Sequence, residues 1–267
     1  MSKFSTENSG TKDVLNGLSK SRLALYLAIS DIRQRYRRSS LGPFWITIST
    51  GVMISCIGFI FGGLFKTPMA EFLPFLTIGL IAWTFISSTL VESTTVFVSS
   101  ESIIKQLPLP LSIHVARMVF RNVYIFFHNL IIYPIVCFIF NKSVSFFTLL
   151  FIPGFIILLL NLLWMSLFLS IVCSRFRDLT QIVNSLLQVI FYITPIIWLP
   201  SLLPARAKVM VLDFNPFYHL IEIIRLPLLS QPPTAYNWLV SISLIFIGWS
   251  VSLLFFNKYR NRIPYWL

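Results

Sequence analysis

Arg33, Arg35, Arg37 and Arg38 lie within six residues of one another and run straight into an apolar stretch that opens at Leu41-Gly42-Pro43-Phe44-Trp45. A guanidinium fork engages phosphate oxygens two at a time, so such a cluster at a membrane boundary suits a phosphate or diphosphate headgroup. The same charges also act on topology, because basic residues beside a span stay on the cytoplasmic side. Other residues capable of chemistry are sparse. His114, His128 and His219 have no ligand spacing, and His128, well inside an apolar run, reads as a packed, hydrogen-bonded imidazole. Cys56, Cys137 and Cys173 fall far apart, inside or at the end of apolar runs. They read as small buried hydrophobes, with neither metal-ligand spacing nor a disulfide framework. The sequence has no GxxxxGK[ST] phosphate loop, no Ser-His-Asp arrangement, no zinc motif and no exposed carboxylate pair. Asp31, Glu101, Asp178 and Asp213 are scattered singly, which argues against a membrane enzyme acting on polyprenyl-phosphate sugars. The residues describe a pathway rather than an engine, and no catalytic or metal site is expected.

The elements that hold these residues belong to a membrane. Of the 267 residues, 56% are hydrophobic and 11% charged, where a soluble domain carries about 25% charge. The net charge of +12 does not indicate nucleic acid, because eight of the 21 Lys and Arg precede Leu41 and most others flank apolar runs. Charge so placed is a topology and lipid-headgroup signal. The first forty residues are polar and the first apolar run lacks a small-residue cleavage site, so the protein is expected to remain in the membrane through its own spans.

A helix needs about 20 apolar residues to cross the bilayer, and six segments qualify: 44–65, 72–96, 113–140, 147–173, 182–199 and 236–256. With the N-terminus inside, sixteen of the 21 basic residues fall in cytoplasmic segments and only Lys66, Lys142, Arg206, Lys208 and Arg225 lie outside. Both termini are therefore expected in the cytoplasm of a multi-pass inner-membrane protein. The expected fold is all-α. Residues 1–20 form a cytoplasmic tail, 21–41 an amphipathic interface helix, 42–256 a six-span domain and 257–267 a second cytoplasmic tail. Within the domain, 200–233 is apolar but holds Asp213, Glu222, Arg225 and several prolines. A charge at the bilayer centre costs about 2.5–3.5 kcal/mol on insertion scales, and a seventh span would place the basic C-terminus outside. This segment is expected to be an external re-entrant element. Its half-buried helix would carry Phe217, Leu220, Ile221, Ile224 and Leu228 on one face, start at Pro216 and end at Pro227.

Leu18, Leu25, Ile29, Ile32 and Tyr36 form a narrow stripe on the N-terminal helix at 100° per residue. Leu23 and Leu27 on the other face suit a protein contact, so lipid anchor and partner contact are both open. Two breaks on the cytoplasmic side, 99–110 (SSESIIKQLPLP) and 174–181 (SRFRDLTQ), look like docking elements, and Asp178 is placed to cap the helix that follows it. Glu92, near the inner end of the second span, is within reach of Arg117 or Arg121, and the spans hold no second carboxylate for a proton relay. Phe44, Trp45, Phe59, Phe61 and Phe65 in the first span, and Phe191, Tyr192 and Trp198 in the fifth, serve either as ordinary membrane aromatics or as flat apolar surfaces for sugars. Trp45, Trp83, Trp198, Trp238 and Trp266 suit an interfacial belt.

Four stretches taken together, RYRRSSLGPFWITI, SRFRDLTQIV, FYITPIIW and NPFYHLIEIIRLPLL, resemble the permease subunit of O-antigen (lipopolysaccharide) export ABC transporters of the type-2 exporter group. The likeness runs from about Ser21 onward; the first twenty residues carry none of it. It implies a homodimer working with two copies of a separate ATP-binding subunit, which supplies ATP and Mg; this chain needs no cofactor. It implies that a polysaccharide on an undecaprenyl-diphosphate carrier moves from cytoplasm to periplasm along the dimer interface. The eight aromatics would then line the channel, and Arg33, Arg35, Arg37 and Arg38 would meet the diphosphate. Ser99, Glu101, Lys105, Arg175, Arg177 and Asp178 would couple to the ATPase, and Asn215, Phe217, Tyr218, Glu222 and Arg225 would belong to external gate helices. A permease of the same architecture carrying capsule, teichoic acid or a drug is the nearest alternative, and a scaffold for polymer synthesis is a third.

Overall fold

The computed structural model describes residues 10–37, 39, 41–42, 44–143, 145–204 and 208–267, and among them all regular structure is helical. Two short helices, α1 (Gly10–Ser19) and α2 (Ser21–Arg35), precede the first long apolar one, α3 (Phe44–Phe65). Next come α4 (Met69–Ser93), the short pair α5 (Val96–Ser99) and α6 (Glu101–Gln106), and α7 (Ser112–Leu130), continued with a break at Ile131 by α8 (Ile132–Ile139). Pro134 lies in the first turn of α8, where its missing N–H leaves the carbonyl of Leu130 without its helical donor, which accounts for the break. The chain then forms α9 (Phe151–Arg175), α10 (Leu179–Ile193), α11 (Pro216–Leu228), α12 (Ala235–Tyr259) and α13 (Ile263–Trp266).

Among the described residues, five helical stretches are long and apolar enough to cross a membrane: Phe44–Phe65, Met69–Ser93, Ser112–Ile139, Phe146–Arg175 and Ala235–Trp266. The fifth apolar segment of the sequence forms the 15-residue α10 instead, about 22 Å long against a hydrocarbon core of about 30 Å. Pro195 sets this limit. A residue before proline avoids the helical region, and Thr194 is extended at φ −79°, ψ 134°.

The core centres on α4, which is enclosed by α3, α7, α9, α10 and α11. Trp83, expected in an interfacial belt, is instead buried there, its ring 5.9 Å from Phe191 and 6.0 Å from Phe217. Close packing depends on small residues, as is usual where lipid supplies no hydrophobic drive between helices. On α3 the buried stripe is Thr50, Ile54, Gly58 and Gly62. A Cβ on Gly58 would collide with Leu73 of α4, and one on Gly62 with Met69. Between α9 and α12, Asn161 donates to the Ser241 carbonyl at 3.0 Å and accepts from the Trp164 indole at 3.0 Å.

The ends of the bundle are distinct. α1 packs on α7 and on the end of α12, and α13 packs on α6 and the end of α9. Both described termini, the α5–α6 pair and the turn after α9 thus share one end. Residues 10–19, expected as part of a tail, are a helix fixed in this end. The turn between α3 and α4, the connection between α8 and α9, and α11 with its flanks occupy the other.

Candidate functional site

At the end that holds the termini, α2 lies along α7 through Ala24, Ala28 and Ile32, all buried. Of the apolar stripe only Ile32 shares this buried contact; Leu18 and Leu25 are exposed, as is Leu23. The alanines let the two backbones approach, and one carboxylate then locks them. Asp31 accepts from Nε of Arg117 at 2.7 Å, from the same guanidinium through a second nitrogen, and from Arg121 at 3.3 Å. Arg121 continues to Glu92 of α4 at 2.5 Å, and Asn122 donates to the same carboxylate at 3.0 Å. Glu92 is therefore a structural partner of Arg121, as its depth suggested, and Asp31 is part of a network rather than a lone acid. Arg33, Arg35 and Arg37 remain exposed at the end of α2; Arg38 lies outside the described residues.

The elements expected to couple to a partner share this end of the bundle. Ser99 closes α5, and Glu101 and Lys105 pair along α6 at 2.6 Å. Arg175, Arg177 and Asp178 are exposed in the turn between α9 and α10. Asp178 occupies the N-cap position of α10, but its side chain makes no capping hydrogen bond, contrary to expectation.

Asp13 was not singled out by the sequence reading. It is almost wholly buried and accepts from the backbone N–H of Leu111 at 3.1 Å and of Ser112 at 3.0 Å, from the Ser112 hydroxyl at 2.9 Å and from Arg260 at 2.7 Å. One carboxylate caps α7, holds α1 and gathers the C-terminal segment. The available signal was Gly10, Asp13 and Gly17 at helical spacing, a face too small and polar to register as amphipathic.

At the opposite end, Asn215 caps α11 by accepting from the N–H of Phe217 at 3.0 Å and of Tyr218 at 3.3 Å, with Pro216 in the first turn. Helix α11 is buried almost all round, not on one face: His219, Glu222 and Arg225 are inside together with Leu220, Ile221, Ile223 and Ile224. Arg225 is fully buried and pairs with Glu222. It also donates to the Pro195 carbonyl at 2.7 Å and lies 3.9 Å from the centre of the Phe75 ring. These three partners engage the two terminal nitrogens and one face of a guanidinium at 0% exposure, whose Nε has no partner among the described residues. His219 bonds Asn237 at 2.8 Å and the Asp213 carbonyl at 3.0 Å. Beside them Tyr218, Glu222, Asp213, Glu71 and Lys142 border a cavity of about 870 Å³.

The eight aromatics divide. Phe61 and Phe65 pack against the core, Phe65 with its ring 6.1 Å from Phe72, and Phe191 packs on Trp83. Phe44, Trp45, Phe59 and Tyr192 are exposed, Phe44 beside His128 at 5.8 Å. The His128 ring is held to the Tyr124 carbonyl at 3.1 Å, the packed imidazole expected. Trp198 donates to the Tyr192 carbonyl at 3.1 Å. Cys56, expected to be buried, is exposed on α3, whereas Cys137 and Cys173 are buried.

One polar feature lies on the outside of the protomer. Gln181, Asn184, Ser185 and Gln188 recur at three- and four-residue spacing along α10, whose one buried residue is Leu187. Among the described residues the amides of Gln181, Asn184 and Gln188 form no side-chain hydrogen bond. Amides in an otherwise apolar helix are costly against lipid and favour water or a partner. The signal was present in LTQIVNSLLQ, whose polar residues repeat with the helical period.

Among the described residues this is an all-helical bundle with five stretches long and apolar enough to cross a membrane, the architecture of a multi-pass membrane protein. The chain belongs to the ABC-2 type transporter family, whose pattern it matches over residues 23–229. It is similar to two proteins of Klebsiella pneumoniae named O-antigen export system permease protein RfbA. One is 23% identical over 248 residues and the other 26% over 250, each comparison covering 90% of this chain and 93% of the relative. A protein of the same name from Myxococcus xanthus is 22% identical over 200 residues, 74% of this chain and 77% of the relative.

Proposed function

We propose that this chain is the membrane subunit of an ATP-driven exporter that moves undecaprenyl-diphosphate-linked O-antigen polysaccharide across the inner membrane, from cytoplasm to periplasm. Two copies form the channel, and two copies of a separate ATPase, carrying ATP and Mg, drive it from the end that holds both termini. The observation that carries this reading is the outward polar stripe Gln181, Asn184, Ser185 and Gln188 on α10, flanked by exposed Tyr192. A wet, hydroxyl-rich polymer suits amides and flat rings that grip weakly at many points. Helix α10, with the bend at 194–198 that follows it, supplies the sixth crossing, and α11 with its flanks forms the external gate.

Exposed Arg33, Arg35 and Arg37 receive the carrier diphosphate at the membrane surface, with Arg38 next in the chain. Movement of the partner reaches the bundle through Ser99, Glu101, Lys105, Arg175, Arg177 and Asp178. At the other end Asn215, Phe217, Tyr218, Glu222 and Arg225 keep the gate helix in place. Deleting the gene tests the whole reading: lipid-linked polysaccharide should accumulate inside while long-chain polysaccharide disappears from the surface. Loss of both would contradict export and point to synthesis.

A further inference from the structure

Between the end of α9 and the C-terminal segment lies a second cavity, of about 300 Å³. Val172 and Phe255 form its apolar wall, Tyr259 and Trp266 its aromatic sides, and Arg175 and Arg262 its charged rim. The Arg175 guanidinium is 5.9 Å from the centre of the Phe176 ring and 5.8 Å from that of Trp266. Among the described residues neither Arg175 nor Arg262 forms an ion pair. Two uncompensated guanidinium groups thus stand above an apolar slot.

The position of the slot selects the ligand. Val172 and Arg175 close one candidate span, while Phe255, Tyr259, Arg262 and Trp266 close another. Phe255 is exposed in its wall, inside the candidate span Ala235–Trp266, so at that depth the wall faces hydrocarbon, where a soluble partner does not reach. Tyr and Trp at this level mark the headgroup boundary. A ligand that fills the slot needs an acyl segment below and an anionic group above.

We infer that this cavity binds an anionic phospholipid, its phosphate between Arg175 and Arg262 and its upper acyl chain against Val172 and Phe255. Arginine forks suit phosphate oxygens, and basic pockets between spans are recognised by anionic headgroups. The site is separate from the exposed arginines of α2, and its occupancy does not depend on what the transporter carries.

The test uses the full-length protein in phosphatidylcholine vesicles doped with photoactivatable phosphatidylglycerol. Label is expected on peptides spanning 171–176 and 254–266, and it should be absent when phosphatidylcholine carries the photoactive group. The R175Q/R262Q variant should bind phosphatidylglycerol more weakly, on the order of tenfold. R262Q alone, at an exposed residue without an ion pair, keeps the test available if the double variant misfolds, and should show a smaller loss in the same direction. Equal labelling by both lipids, undiminished labelling in both variants, or full competition by millimolar inorganic phosphate would overturn the assignment. Because Arg175 is also among the residues proposed to couple to the ATPase, labelling is read on the permease without its partner.

Discussion

Asp13 and Arg260 meet at 2.7 Å although 247 positions separate them, and the same carboxylate accepts the first two N–H groups of α7. This contact ties the two ends of the chain to the helix that follows α6. D13A leaves the Leu111 and Ser112 amides without their acceptor inside the fold. We expect a loss of about 2–4 kcal/mol, read as an earlier thermal transition in detergent, with D13N milder because its amide oxygen still accepts. A transition within error of wild type would show that the N-terminal helix is only loosely attached.

The Glu222–Arg225 pair is buried and short-range, three residues apart on α11. Removing one partner strands a charge, at a cost of about 3–5 kcal/mol, while replacing both with apolar groups of similar volume is near neutral. R225M should therefore destabilise far more than E222L/R225M in the same thermal assay. Equal losses would mean that the Pro195 carbonyl and the Phe75 ring, not Glu222, hold the arginine.

Gly248 and Gly63 should respond oppositely to alanine. A Cβ on Gly248 runs into the Trp164 ring, while one on Gly63 meets nothing within 4 Å. G248A is expected to lose about 1–3 kcal/mol through overpacking. G63A should be neutral or slightly stabilising, since alanine is the better helix former by about 1 kcal/mol. Helical content against temperature, followed by circular dichroism, separates the two.

The α10 stripe separates stability from function. Q181L and Q188L replace exposed amides with no internal partner, so protomer stability should change by less than about 0.5 kcal/mol, while surface polysaccharide falls. Leu187 of the same helix is buried, and L187A should instead cost about 2–5 kcal/mol. Immunoblots of surface polysaccharide beside thermal transitions check both.

Much of this was legible in the sequence. Apolar runs of twenty residues marked the long helices, and Asn215-Pro216 announced the start of α11 because cap and proline act locally. Depth alone put Glu92 within reach of Arg117 or Arg121, and Arg121 is the partner it takes. What escaped depends on contacts that periodicity does not encode. The interface of α2 uses Ala24 and Ala28, whose small apolar area weighs little in a moment dominated by leucine. Asp13 is defined by partners about a hundred and about 250 positions away. α11 looked half-buried because Glu222 and Arg225 read as surface residues, whereas their mutual pairing takes them inside. Thr194-Pro195 shortened α10, a local rule that the apolar run concealed.

The most direct test of the export path places a photoreactive amino acid at position 188 of α10 and, separately, at position 246 of α12, where Phe246 is exposed on a face without such a polar stripe. Cells making the lipid-linked polysaccharide are then irradiated. Cross-linked polysaccharide at 188 and none at 246 is the result the account predicts; cross-links at 246 alone, or equally at both, would contradict it.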